Sequence, residues 1–204
     1  MNRYSSQGHA ATAAFVPGQA STRRPPSVLV FAVLFLAAAG FGSAADPDQS
    51  HAAAVSIVSM QKSIDGRLSH LWPDEPFFVL GTTHGVYLNG YGAVFTAEVN
   101  LVTAPISPFM PTPTKEMVDR HHQRKLERVP QLKQAMRELL AQTAASLDTL
   151  ADTDHVVLAV SLTSYAWEPA GLPSQIVMQG QKGALVAARN AGTQLDSVIK
   201  AEEY

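Results

Sequence analysis

GVYLNGYGAVFTAEVNL, residues 85–101, decides how the rest of the chain is read. Asn89-Gly90 is the preferred centre of a type I′ turn, where both central residues take positive φ. The flanking stretches 77–88 and 91–102 are rich in Val, Phe, Tyr and Thr, which suit a pleated surface. After the turn, Ala93, Phe95, Ala97, Val99 and Leu101 point one way and Thr96, Glu98 and Asn100 the other. A period of two with one polar side predicts a half-buried antiparallel strand. The segment therefore reads as a β-hairpin with one side on a core. It is not a dinucleotide loop, because GYGAVF (90–95) lacks the third glycine and opens no helix.

Helices are predicted on both sides of this hairpin. Upstream, Val55, Val58, Ile64, Leu68 and Leu71 recur at roughly helical spacing from residue 51, with Asp48 or Ser50 as cap. Pro73 and Pro76 of WPDEP then stop that helix, since neither can continue a helix interior. Downstream, TAPISPFMPTPTKE (103–116) carries four prolines and is neither a central strand nor a helix. It predicts an extended strap whose Ile106, Phe109 and Met110 lie against something apolar. A second helix is expected over 114–150, capped by Thr112 or Thr114 and kinked or split at Pro130. Its second half places Leu132, Met136, Leu139, Leu140, Thr143, Leu147 and Leu150 on one stripe.

HVVLAVSL (155–162) is a nearly continuous apolar run of the kind found inside a sheet, and SQIVMQGQ (174–181) a shorter strand. Residues 184–200 read as helix, interrupted near Gly192. The order α-β-β-α-β-β-α predicts an α+β domain: about four strands, antiparallel or mixed, packed against helices.

The N-terminus differs in character from the chain that follows it. Residues 1–27 carry Arg3, Arg23 and Arg24 and no acidic residue; an uncharged apolar run follows from Val28 to Phe41, and Ser43 and Ala45 are small. This is the order of a secretory signal peptide cleaved before Asp46, leaving 46–204 as a single domain. The run is short of the roughly 20 apolar residues of a membrane span, and a retained single-pass anchor is the alternative. The chain has no cysteine, so the exported form carries neither disulfides nor a thiol for lipid attachment. Removing the three leader arginines from 15 basic residues leaves 12 against 17 acidic ones, a charge near −5. That balance argues against a general nucleic-acid binder.

Common catalytic signatures are missing: there is no HExxH, GxSxG, GxxxxGK[ST] or thiol nucleophile. No cofactor or metal is expected. His84 and Glu98 on the hairpin are the candidates for a base and an acid, and a metal or catalytic centre would need a helical histidine to join them. Helical projection puts His122 with Val118, Leu126 and Val129, at the core edge. It puts His121 with Arg120, Arg124, Lys125 and Arg128, a basic face expected to be solvated and able to meet an anionic partner. Tyr165, Trp167 and Glu168 lie in a loop that either lines a cleft or anchors to the core. The expectation is an exported protein of the bacterial envelope, a binding or assembly module rather than an enzyme. Its partner would be an envelope protein or an anionic surface. The alternatives are a small periplasmic hydrolase or a ligand carrier with its site near His84 and Glu98. Charge reversal at Arg124 and Arg128 is expected to weaken envelope association while leaving folding intact.

Overall fold

The computed structural model describes residues 47–73, 78–106 and 112–204. The leader, Pro76, Phe109 and Met110 lie outside them. Among the described residues of the unit Ser43–Tyr204, three helices and a mixed sheet alternate, an α+β fold as the sequence predicts. Helix α1 spans Pro47–Ser69, followed by strands β1 (Phe78–Val79), β2 (His84–Leu88) and β3 (Gly92–Asn100). Helix α2 covers Lys115–Ser146, then come β4 (His155–Leu162), β5 (Gln175–Gln181), α3 (Lys182–Ala191) and β6 (Lys200–Glu203).

The six strands occupy five positions across the sheet. β1 and β2 both pair antiparallel with β3, one with each half of it, so together they form one interrupted edge. The interruption is Leu80–Thr83, where Gly81 takes φ 82° and Asp65 of α1 accepts from the Thr83 amide at 2.8 Å and from its hydroxyl. β3 and β4 are parallel, joined by α2 as a crossover. β5 and β6 continue the sheet antiparallel. The mixed sheet therefore holds more strands than the four expected, and its centre is the parallel pair.

The hairpin forms where Asn89-Gly90 places it, and the amide of Tyr91 donates to Leu88 O at 3.0 Å. The first cross-strand pair is Leu88 with Gly92, so the loop is the three residues Asn89, Gly90 and Tyr91 rather than a two-residue turn. Alternation along β3 holds as predicted: Ala93, Phe95, Ala97, Val99 and Leu101 are buried, while Thr96 and Glu98 are exposed. Asn100 departs from the pattern and is buried, because Tyr165 covers it and accepts from its Nδ2 at 2.8 Å.

α1 begins at Pro47, a good first helical residue because its missing N–H would have no helical partner there. Asp48 and Ser50 thus lie inside the helix rather than capping it. The core-facing stripe is Ala53, Ile57, Ile64 and Leu68; Val55 and Val58 are 61% and 54% exposed, so the expected face was misphased by two residues that point to solvent. α2 runs through Pro130 without splitting, with Thr114 as N-cap accepting from the Met117 amide at 3.3 Å. Its proline sits on the exposed side, where the lost backbone hydrogen bond is open to water. The stripe Leu132, Met136, Leu139, Leu140, Thr143, Leu147 is buried against the sheet and leaves no free apolar face there. α3 ends at Gly192, whose φ of 64° lets its amide turn back to the last carbonyls. The predicted continuation to residue 200 is instead a 3₁₀ turn and strand β6.

Candidate functional site

Where the parallel strands β3 and β4 end, backbone carbonyls leave the ladder and need new donors. Three side chains of α2 supply them. Arg128 Nη1 donates to Leu101 O, His121 Nε2 lies 3.1 Å from Val102 O, and Lys125 Nζ donates to Thr163 O at 2.8 Å. Positions 121, 125 and 128 follow helical spacing, so one helix face delivers all three to the strand ends. This corrects the expected solvated basic face. His121 is 3% exposed, Lys125 1% and Arg128 6%, whereas Arg120 and Arg124 of the same group are exposed. The placement of His122 at the core edge agrees with its half-buried state.

The buried charges are paired. Both carboxylate oxygens of Glu168, whose side chain is 2% exposed, accept from Lys125 Nζ at 2.7 and 2.9 Å. The loop that carries Glu168 closes by a turn from its own amide to Tyr165 O at 2.9 Å. Tyr165 and Trp167 stack with ring centroids 5.0 Å apart, and the imidazole of His121 meets both edge-on. The Lys125 ammonium lies 5.3 Å from the Tyr165 ring centroid, a further favourable contact for a desolvated cation. The aromatic loop therefore anchors to the core and seals the ion pair from water.

His121 is the least settled member of this cluster. Its Nε2 faces a carbonyl and must carry a hydrogen, so in the neutral ring Nδ1 presents a lone pair. That lone pair lies 3.3 Å from Glu168 Oε1, out of line for a hydrogen bond and without another partner among the described residues. Burial first, then the Lys125 charge and His122, hold the ring's pKa below 6.5, against the opposing pull of the Val102 carbonyl and Glu168. Below about pH 6.5 the unfolded chain takes up a proton that the folded ring refuses until more acid conditions. His121 thus contributes stability that is complete above that pH and lost as pH falls through the folded value. His121→Gln should flatten this part of the acid-side decline in urea-denaturation free energy. An unchanged profile between pH 7 and 5 would show that His121 is not its source.

Outside the sealed cluster, two clefts open along the N-terminal half of α2. The smaller, about 210 Å³, lies between α2 and the start of the strap; Val102, Pro105, Met117, Arg120, His121 and Arg124 border it. The larger, about 370 Å³, lies between α2 and the turn after α1, with Trp72, Arg124 and Arg128 on its wall. Arg128 is fixed there with its guanidinium carbon 4.8 Å from the Trp72 ring centroid, while Trp72 Nε1 donates to Gln131 Oε1 at 2.6 Å. Arg120 is paired to Glu116 at 3.0 Å on the surface. Arg124 borders both clefts and has no hydrogen-bonding or ionic partner among the described residues.

His84 and Glu98 stand elsewhere, on the sheet face away from the helices. They share a shallow hollow of about 260 Å³ with Thr96 and Ser161. Among the described residues no hydrogen bond or ion pair joins them; Glu98 Oε1 accepts from Thr163 Oγ1 at 3.4 Å, and Thr96 Oγ1 lies 3.5 Å from the His84 carbonyl. His121 and His122 sit on α2, so the convergence with a helical histidine that a three-residue centre requires is not made. Among the described residues no three His, Asp or Glu side chains gather as metal ligands would. The cluster His121, Lys125, Glu168 includes one residue, Glu168, that the sequence places in a loop either lining a cleft or anchored to the core; the loop is anchored, and Glu168 is the buried partner of Lys125. A signal for it existed: the buried stripe from Leu132 onward, extended backwards by fours and threes, lands on Arg128, Lys125 and His121.

Fold and site together define a mixed-sheet α+β domain with a sealed ion cluster at its strand ends and two clefts along α2 that share Arg124, the larger of them bordered by Glu127 as well. Comparisons of the chain with protein-family models, with curated proteins and with solved structures find no match.

Proposed function

We propose that the chain is an exported component of the bacterial cell envelope, cleaved after Ala45, whose domain binds an anionic partner at the double cleft on α2 without catalysing a reaction. The observation that carries this reading is Arg124, a guanidinium that borders two adjacent clefts and has no hydrogen-bonding or ionic partner among the described residues. The surrounding cations are committed: Lys125 to Glu168, and Arg128 to Leu101 O and the face of Trp72. A guanidinium left free beside a fixed scaffold is the arrangement that recognises carboxylate or phosphate. Val102, just past the end of β3, and Pro105, from the proline strap, contribute to one wall, and the apolar stripe of α2 is used up inside the core, which favours binding at the cleft over assembly along the helix.

The test is recovery of the processed protein with its envelope fraction. Arg124→Glu should leave the thermal midpoint within about 2 °C of wild type, since exposed substitutions cost at most about 0.5 kcal/mol. The same variant should lose most envelope association. Retained association would remove the cleft from the function. Arg128→Glu does not belong beside it as a binding probe. That side chain is buried on a strand-end carbonyl, and its reversal should destabilise the domain. A hydrolase at His84 and Glu98 is the second reading, favoured by the hollow those two share with Ser161. It requires that His84→Ala abolish turnover of some ester or amide substrate while leaving envelope association unchanged.

A further inference from the structure

We infer that the smaller cleft is a receptor for one phosphate group, free or as a monoester. This rests on the anionic-partner reading and narrows it. Size is the first argument. Pockets for drug-sized ligands run from roughly 300 to 1,000 Å³. At about 210 Å³ this cleft suits a single functional group rather than a whole molecule. The larger cleft on the far side of Arg124 gives an esterified group a place to lie.

Charge is the second argument. Lys125 is neutralised by Glu168, so the cations left at the cleft are Arg120 and Arg124. They stand one helical turn apart on the same face, within reach of one ligand. Two guanidinium charges match the roughly −1.5 to −2 of a phosphate monoester near neutral pH. They exceed the single charge of a carboxylate or a diester. Arg120 already holds a carboxylate, Glu116, in a pair that is exposed on both sides. Such a pair is worth at most about 1 kcal/mol and yields readily to a dianion.

Geometry is the third. Two oxygens of a carboxylate are satisfied by a single bidentate arginine, whereas three outward phosphate oxygens need donors from more than one side. Val102, Pro105 and Met117 supply apolar lining beside the two arginines, and low-dielectric surface next to a charge pair strengthens it. The His121 ring, which also borders the cleft, is fixed through its Nε2 on the Val102 carbonyl, so that part of the lining is preordered.

The experiment follows the arginine Nε–Hε resonances of the processed protein. Inorganic phosphate, glycerol 3-phosphate, and phosphatidylcholine vesicles containing phosphatidic acid are added separately at constant ionic strength. Sulfate and a hexaglutamate peptide serve as comparisons. The expected result is a saturable shift of the Arg124 and Arg120 resonances with a phosphate probe; followed at Arg120, the affinity is weakened about tenfold or more in Arg124→Gln and largely kept in Arg124→Lys. A response to the soluble probes marks a soluble phosphate compound, and one confined to vesicles marks a lipid headgroup; either supports the site. No saturable shift with any phosphate probe, or an equal shift in Arg124→Gln, overturns it. Should hexaglutamate alone shift Arg124 while Arg124→Glu still abolishes envelope association, phosphate falls and the anionic-partner reading stands. If that association is also insensitive to Arg124→Glu, both fall.

Discussion

Lys125→Met should lower the stability of this domain by about 3–5 kcal/mol, the cost of leaving the buried Glu168 carboxylate without its cation. Lys125 and Glu168 are each almost fully withdrawn from water, and both carboxylate oxygens are taken by the one ammonium. Replacing both members with apolar residues removes the charge that must be desolvated. Lys125→Met/Glu168→Leu is therefore expected within about 2 kcal/mol of wild type, since buried ion pairs are often no better than apolar residues of similar volume. The remaining loss has an identifiable source. Thr163 O would go without its donor, and a buried carbonyl left unpaired costs about 1–3 kcal/mol. Urea denaturation of the wild type, both single variants and the double variant measures the coupling directly. A single-variant loss below about 1 kcal/mol would mean that the Tyr165–Glu168 loop does not close over the pair in solution. A double variant as unstable as the single would move the cost from Glu168 to the Thr163 carbonyl.

Such a cluster is hard to see in a sequence because the residue types mislead. The positions 121, 125 and 128 obey the same spacing as Leu132, Met136, Leu139 and Thr143, and all belong to one buried face of α2. Periodicity located the face, but His, Lys and Arg at its N-terminal end read as solvent contact. What makes them internal is tertiary: two parallel strands end beneath that half of the helix and present carbonyls that only donors can satisfy. An apolar residue at 125 would leave Thr163 O unpaired. Glu168 lies 43 residues beyond Lys125, so no local pattern links them.

Other elements divide along the same line. β3 and β4 were legible because alternation and a continuous apolar run are local signals, and their burial follows the expected faces. β6, Lys200–Glu203, has no such signal: three of its four residues are charged and most are exposed, and it is a strand because β5 offers a free edge. In α1 the valines at 55 and 58 carried the apolar reading, yet Ala53 and Ile57 face the sheet. Small Ala53 can pack closely there, and a hydrophobicity count gives it little weight. The hairpin's His84 and Glu98 were found as exposed residues of one hollow, but shared location is not chemistry until a substrate couples them.

Gly92→Ala should be among the most damaging single substitutions in the chain, although Gly90, two residues earlier, looks equivalent in the sequence. Gly90 sits at the hairpin tip with φ 75° and open space where a side chain would begin. Alanine there costs only the left-handed backbone, about 1–2 kcal/mol. Gly92 opens β3 with φ 133°, and a Cβ built on it would stand 2.0 Å from the carbonyl oxygen of His155 and 2.7 Å from its nitrogen. Those atoms belong to the first residue of β4 and cannot swing aside like a side-chain tip. Gly92 is also the residue paired with His155 at the start of the parallel ladder, and the His155 amide donates to Tyr91 O at 2.7 Å beside it. Relieving the overlap means parting β3 from β4 where the two central strands begin, which loosens Tyr91 from its stack on His155 as well. The expected loss is about 3 kcal/mol or more, combining the strained backbone with broken strand pairing. For a domain of this size that lowers the thermal midpoint by roughly 6–12 °C, against roughly 2–8 °C for Gly90→Ala. Thermal denaturation of the two variants side by side tests the contrast. Equal midpoints would mean that the strand pair does not start at Gly92 and His155, and the close approach that forbids a side chain at 92 would be wrong.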